Sequence, residues 1–310
     1  MIGRYRVRTD LALENGEKFE KDHVEIAGVV IRRQEDRERE IVTTVVKIES
    51  ESGARAMGKP QGVYITLEAP NLAVPDEGIH REISRALAAQ LTLLLPRKMD
   101  SVLVVGLGNR SITPDALGPC AVEHLHITRH MIREYGERAL GDGKIPMISA
   151  LVPGVMAQTG METLEILQGV IRETEPDVVL AIDALAARNT RRLNCTIQIT
   201  DTGISPGSGV GNHRCGLNQE TLHVPVIGIG VPTVVDAGTI VHDAVSNLLE
   251  ALEDAEMDEF LSELVSPALR GMFVTPKDID ETIARLSFTL SEGINMALKR
   301  ESYSGSLSHI

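Results

Sequence analysis

Apolar residues follow two different spacings along this chain. From residue 101 onward, short apolar runs alternate with stretches whose apolar positions recur every three or four residues. Val102–Gly106, Met147–Val152, Asp177–Asp183 and Val224–Ile229 are nearly continuous, as expected of parallel strands covered on both faces. Cys195–Thr200 alternates like a half-buried strand. Helical spacing predicts helices over 116–135, 161–172, 238–252 and 278–298, the last with Ile279, Ile283, Leu286 and Leu290 on one face. Before residue 101, runs rich in β-branched residues predict strands over 23–33, 41–49 and 62–68. Ile79, Ile83, Leu87, Leu91 and Leu94 mark an amphipathic helix over 78–94. Gln34–Glu40 reads as a solvated turn, and Glu250–Glu263 as an acidic surface stretch.

Strands alternating with helices predict an α/β fold: a three-layer α/β/α arrangement of the phosphorylase/hydrolase-like kind. Its mostly parallel central sheet is extended by the N-terminal strands. No Pro- or Ser-rich linker divides the chain, so residues 23–310 are expected to form a single domain behind a polar arm, 1–22. The tail from Ser302 to Ile310 should fray.

Composition narrows the function. The net charge of −13 argues against a nucleic-acid-binding surface, which needs a basic patch. Without Trp and with only four Phe and four Tyr, the core must come from Val, Ile, Leu, Ala and Met. Cys120, Cys195 and Cys215 form no Cys-x-x-Cys pair, which argues against a structural zinc site and for a reducing compartment. No apolar run approaches the length of a membrane span, and the first ten residues lack the apolar core of a signal peptide. A cytoplasmic protein that touches neither membrane nor nucleic acid is expected.

Val102–Gly118 is the stretch on which the candidate chemistry centres. A buried strand runs into Gly106-Leu-Gly108 and a polar loop ending at Asp115. The dinucleotide fingerprint is excluded because Ser111 stands where its third glycine belongs, and no Gly-Lys-Ser/Thr follows for a phosphate loop. What remains is a carboxylate at the carboxyl end of a strand, where open α/β sheets place ligands. Asp183 ends a second apolar run. If the two strands are neighbours, their acids converge. Two close carboxylates do not ionise equally, so such a pair can supply one base and one acid to a water that attacks an amide. The bland alternatives are that Asp115 caps the helix beginning near Ala116 and that Asp183 caps Ala184–Arg188. Asp201 and Asp236 also follow apolar segments and compete for either role. The glycine-rich loop with Gly207 and Gly209 reads as a mobile surface loop or as a flap near substrate, with His213 beside it. Neither a Gly-x-Ser-x-Gly elbow after a strand nor a His-Glu-x-x-His zinc motif is present.

Several long motifs, Gly106–Gly118, Ala181–Arg188, Asp201–Asn212 and Val7–Ala12, closely resemble the germination protease family of spore-forming bacteria. The likeness runs over essentially the whole chain. It implies a self-processing endopeptidase, tetrameric and made as a zymogen, that begins the degradation of small acid-soluble spore proteins in the germinating spore core. The family's two catalytic aspartates match Asp115 and Asp183, with no cofactor. Its substrates are cut after Glu, before Phe or Ile and then Ala. Thr9-Asp10-Leu11-Ala12 imitates that pattern, so self-cleavage is expected between Asp10 and Leu11, releasing a propeptide of residues 1–10. An acidic residue before the cut calls for a basic contact, for which Arg188, Arg191 and Arg192 stand near Asp183 in sequence. Gly207, Gly209 and His213 join Arg188 as expected substrate-binding residues.

The family is similar in fold to the hydrogenase maturation endopeptidases, which add a metal-binding His to the same two acids. No position here is assigned to that His. A metal-assisted peptidase and a non-proteolytic, phosphorylase-like binding protein are the competing readings.

Overall fold

The computed structural model describes residues 9–15, 26–136, 140, 145–207, 215–246 and 271–299, with side chains beyond 241 in the fifth segment left aside. Nine strands form one sheet: β1 Val29–Asp36, β2 Ile41–Ile48, β3 Gly62–Glu68, β4 Ser101–Gly106, β5 Met147–Leu151, β6 Val178–Ala187, β7 Thr196–Thr200, β8 Val226–Asp236 and β9 Phe273–Val274. Their order is β1-β2-β3-β7-β8-β6-β4-β5, with β9 on β8. The apolar runs build the expected parallel block: β4 pairs in parallel with β5 and β6, and β6 with β8. Antiparallel β7 joins that block to the antiparallel strands β3, β2 and β1.

Helices cover both faces. They are α1 Glu51–Met57, α2 Glu77–Leu94, α3 Leu117–Val122, α4 Arg129–Tyr135, α5 Thr163–Thr174, α6 Ala237–Ser246 and α7 Ile279–Lys299, with single turns at Met156–Thr159 and Gln219–Leu222. On one face α2, α3 and α7 bury Leu87, Leu91, Leu117, Leu286 and Leu290 against Val102, Val104, Leu180 and Ile182. On the other, Leu167 of α5 packs on Leu103, Val105 and Val179. Alternate residues of β4 and β6 thus feed both cores, which is why these strands carry no polar face. Among the described residues no helix is long and apolar enough to cross a membrane.

Three expectations need correction. The helix over 116–135 is two helices, because the chain turns at Thr128, whose Oγ1 donates to Pro146 O and accepts from Ile148 N to tie the turn to β5. The apolar run ending at Asp183 continues to Ala187, paired with β8 throughout. The run Val224–Ile229 does not stop at Ile229 but continues through Pro232 to Asp236 as β8, whose register against β6 shifts between Leu185 and Ala186, the kind of irregularity where a sheet tolerates proline. Helix α1 is a further element, capped by the Ser50 side chain and by Gly58 in the left-handed region. The start of the 23–33 strand, the end of the 238–252 helix, the acidic stretch and the tail lie outside the described residues in whole or in part.

Candidate active site

Asp183 owes its position to how β6 is pinned on β4. At the foot of the ladder Asp177 Oδ2 accepts from the amides of Asp100 and Ser101, at 2.7 and 2.9 Å. The register then sets Gly106 opposite Ile182, and Leu107 N donates to Ile182 O at 2.8 Å. Asp183 is therefore the first residue of β6 above the end of β4. It is 5% exposed, and its Oδ1 accepts from its neighbour's amide, Ala184 N, at 3.0 Å.

Asp115 returns to the same level through the glycine loop. Gly108 has φ +111°, and a Cβ there would lie 2.0 Å from Asp115 O. Only glycine lets the loop fold back this closely. Gly106 ends β4 in contact with Gly118, whose carbonyl oxygen would meet a Cβ at 2.3 Å. The pair of glycines seats α3 on the strand. Thr233 Oγ1 donates to Pro114 O at 2.7 Å and fastens the loop to β8. Asp115 does not cap α3, whose N-cap residue is Ala116 with no side-chain bond. Its Oδ2 instead accepts from Asn109 N at 2.7 Å.

Asp115 and Asp183 line one cavity of about 520 Å³, together with Asp10, Gly207 and Leu185. A second, of about 250 Å³, shares Asp10, Asp183 and Leu185 and adds Lys59, Tyr64 and Gln198. The two meet at Asp10, in the arm. Asp10 N donates to Ala186 O at 3.0 Å, and Asp10 Oδ2 accepts from Ala186 N at 2.9 Å, where the β6–β8 register shifts. Leu11 is fully buried among Leu185, Ala187 and Val235. Ala12, also fully buried, packs with Val46, Ile48, Met57 and Tyr64. The chain then turns into a helical turn over residues 12–15.

Glu14 anchors the arm's far end. It is 3% exposed, and its carboxylate accepts from Arg188 N at 2.8 Å and Asn189 N at 2.9 Å, and from the Thr9 hydroxyl. Arg192, itself buried, pairs with it at 3.3 Å and with Glu68 at 3.2 Å. Breaking such a buried pair from one side leaves an uncompensated charge, so the arm is held firmly. Arg192 thus meets the acid at position 14, and Arg188 reaches the same acid through its backbone amide. Gly207 borders the cavity of the two aspartates with φ +71°, while Gly209 and His213 lie outside the described residues.

The competing aspartates have other partners. Asp201 Oδ1 accepts from Val63 N at 2.8 Å and joins β3 to β7. Asp236 Oδ1 accepts from Thr239 N at 3.0 Å at the start of α6. Among the described residues no cluster of three or more His, Cys, Asp or Glu side chains is placed to hold a metal ion.

Sequence reasoning missed Lys59 and Gln198. Lys59 follows the glycine cap of α1, and its Nζ donates to Asp10 O at 2.8 Å. Gln198 Nε2 donates to the same oxygen at 3.2 Å, and its Oε1 accepts from Ala12 N at 2.7 Å. One signal was available: a glutamine between two threonines on one face of a strand buried along its whole length.

Comparison with known proteins agrees with the motifs. A family model described as germination protease matches residues 7–252. The germination protease of Caldanaerobacter subterraneus subsp. tengcongensis is 47% identical, with 94% of each chain covered. That of Bacillus cytotoxicus is 38% identical, covering 97% of this chain and 95% of its own. A [NiFe] hydrogenase maturation protease from Thermococcus kodakarensis superposes with a TM-score of 0.30 and 18% identity, over 58% of this chain and 98% of its own. Extent and identity together place the chain in the germination protease family of endopeptidases.

Proposed function

We propose that this endopeptidase processes itself between Asp10 and Leu11 and then opens the degradation of small acid-soluble spore proteins in the germinating spore core. The observation that carries this reading is the docking of the arm. Asp10 borders the cavity that Asp115 and Asp183 line, and this acidic residue is followed by a buried apolar residue and then a buried Ala. One carboxylate takes a proton from a water as its oxygen attacks the Asp10 carbonyl carbon. The other gives a proton to the Leu11 nitrogen as the C–N bond breaks. Residues 1–10 leave as the propeptide of a zymogen. Substrate chains enter along the same path, cut after an acidic residue and before a large apolar residue and Ala. The working form is a homotetramer in the cytoplasm of the forespore and spore.

Incubation of the purified full-length chain, followed by N-terminal sequencing, tests the reading. A new terminus at Leu11 and cleavage of an added small acid-soluble spore protein at an acidic–apolar–Ala site are expected. A mature terminus far from Leu11, or an intact spore protein beside processed enzyme, contradicts it.

A further inference from the structure

Hydrolysis of an amide puts negative charge on the carbonyl oxygen as water adds, and a peptidase needs donors aimed at that atom. Asp115 and Asp183 are acceptors in their ionised form and cannot serve. The oxygen in question is Asp10 O, and it accepts from two side-chain donors: Lys59 Nζ at 2.8 Å and Gln198 Nε2 at 3.2 Å. The Gln198 amide is oriented from its other end, because Ala12 N donates to its Oε1 at 2.7 Å and leaves the NH2 facing Asp10. These contacts span the bond, one on the carbonyl before it and one on the second amide after it.

We infer that Lys59 and Gln198 are catalytic residues that stabilise the oxyanion formed at the carbonyl before the scissile bond, an inference that rests on cleavage at Asp10–Leu11. As the water oxygen bonds to the carbonyl carbon, the C=O π pair moves onto oxygen and is held by the ammonium and the amide N–H. One aspartate takes the water's proton. When the C=O bond re-forms, the C–N bond breaks and the Leu11 nitrogen takes a proton from the other aspartate. Asp10 ends as a new carboxyl terminus and Leu11 as a new amino terminus. Lys59 and Gln198 lose no proton in the cycle. The donors border one cavity and Asp115 borders the other, with Asp183 common to both.

The ionisation of Lys59 supplies a readout that a merely structural lysine would not move. Burial lowers its pKa from the ordinary 10.5, against the opposing charges of Asp10 and Glu14. Asp183 and the Tyr64 hydroxyl line the same cavity. Burial raises the Tyr64 pKa to about 12, so Lys59 loses its proton before Tyr64 does, and an alkaline fall of kcat beginning below 10.5 is the expected signature of Lys59.

The test uses full-length protein and a peptide copying Thr9–Asn15, with folding followed by thermal melting. Lys59→Met is expected to lower kcat by about 10²–10³-fold, the loss typical of removing one oxyanion donor, with KM changed less than about threefold. Gln198→Leu should lower kcat and raise KM together, since it also loses the Ala12 amide. Lys59→Arg keeps the charge and should recover part of kcat while abolishing the alkaline limb. A raised KM with unchanged kcat in Lys59→Met overturns the inference. Should that variant not fold, Lys59→Arg decides: an alkaline limb identical to the parent's overturns the inference, and its disappearance supports it. Loss of cleavage in Asp115→Asn and Asp183→Asn beside full kcat in Lys59→Met would leave the proposed function standing and remove only the donor pair. Cleavage at another bond would remove the function reading itself.

Discussion

Leu11→Ala puts a number on the site proposed to receive the residue after the cut. The Leu11 side chain is fully buried against Leu185, Ala187 and Val235, with Leu193, Ile204 and Ile240 at the edge. Truncation removes three carbons at about 0.8 kcal/mol each, so roughly 2.4 kcal/mol of binding is lost before any cavity term. Incomplete collapse of the emptied site raises the loss toward about 3–5 kcal/mol. At about 1.4 kcal/mol per tenfold, the smaller figure is roughly a 50-fold fall in kcat/KM. The assay compares peptides copying Thr9–Asn15 with Leu, Met or Ala at the second position after Asp10's predecessor, that is, at position 11, cut by processed enzyme. Met nearly conserves volume and should cost under about 1.5 kcal/mol. Using peptides keeps the enzyme's own stability out of the measurement. An Ala peptide cut within twofold of the Leu peptide would mean that the pocket adds nothing to transition-state binding, contrary to this expectation.

Other consequences follow from the same contacts. Gly108→Ala forces a Cβ to within 2.0 Å of Asp115 O at φ +111°. It should destabilise the fold by about 1–3 kcal/mol in urea unfolding and suppress self-processing beyond what that loss explains. A peptide with Ala in place of Glu14 leaves Arg192 without one of its buried partners and should lose about 3 kcal/mol, roughly 100-fold in kcat/KM. The alkaline limb of kcat should fall below pH 10.5, because the ammonium is the donating form of Lys59 and burial lets it deprotonate earlier than a free lysine. A rate that is flat through pH 10.5 would contradict this.

Much of the site was legible because it sits in one local signal repeated. A buried apolar strand ending in a polar loop places an acid at the sheet's rim, and both Val102–Asp115 and Asp177–Asp183 carry that signal. Strand adjacency was not legible, and it is what sets the two acids on one cavity: β4 pairs with β6 although β5 lies between them in sequence. Lys59 and Gln198 escaped for the same reason. Lys59 leads into β3 and Gln198 lies on β7, and only the antiparallel β3–β7 pairing brings the N-terminal strands onto the parallel block beside the arm. Arg192 was foreseen as a basic contact for an acid, and it pairs with Glu14. The charge at position 14 carried no sequence signal, because an isolated Glu in a polar arm reads as solvated until the arm is seen buried. The helix over 116–135 was misread because hydrophobic spacing continues across a break set by Thr128 and its bonds to β5.

Asp115 and Asp183 are proposed to act together on the Asp10–Leu11 bond. Intact mass and N-terminal sequence of full-length Asp115→Asn and Asp183→Asn, each shown to melt like the parent, test it most directly. Both variants should keep Met1 after prolonged incubation while the parent begins at Leu11. Conversion of either folded variant to a Leu11 terminus at the parent's rate would contradict the claim.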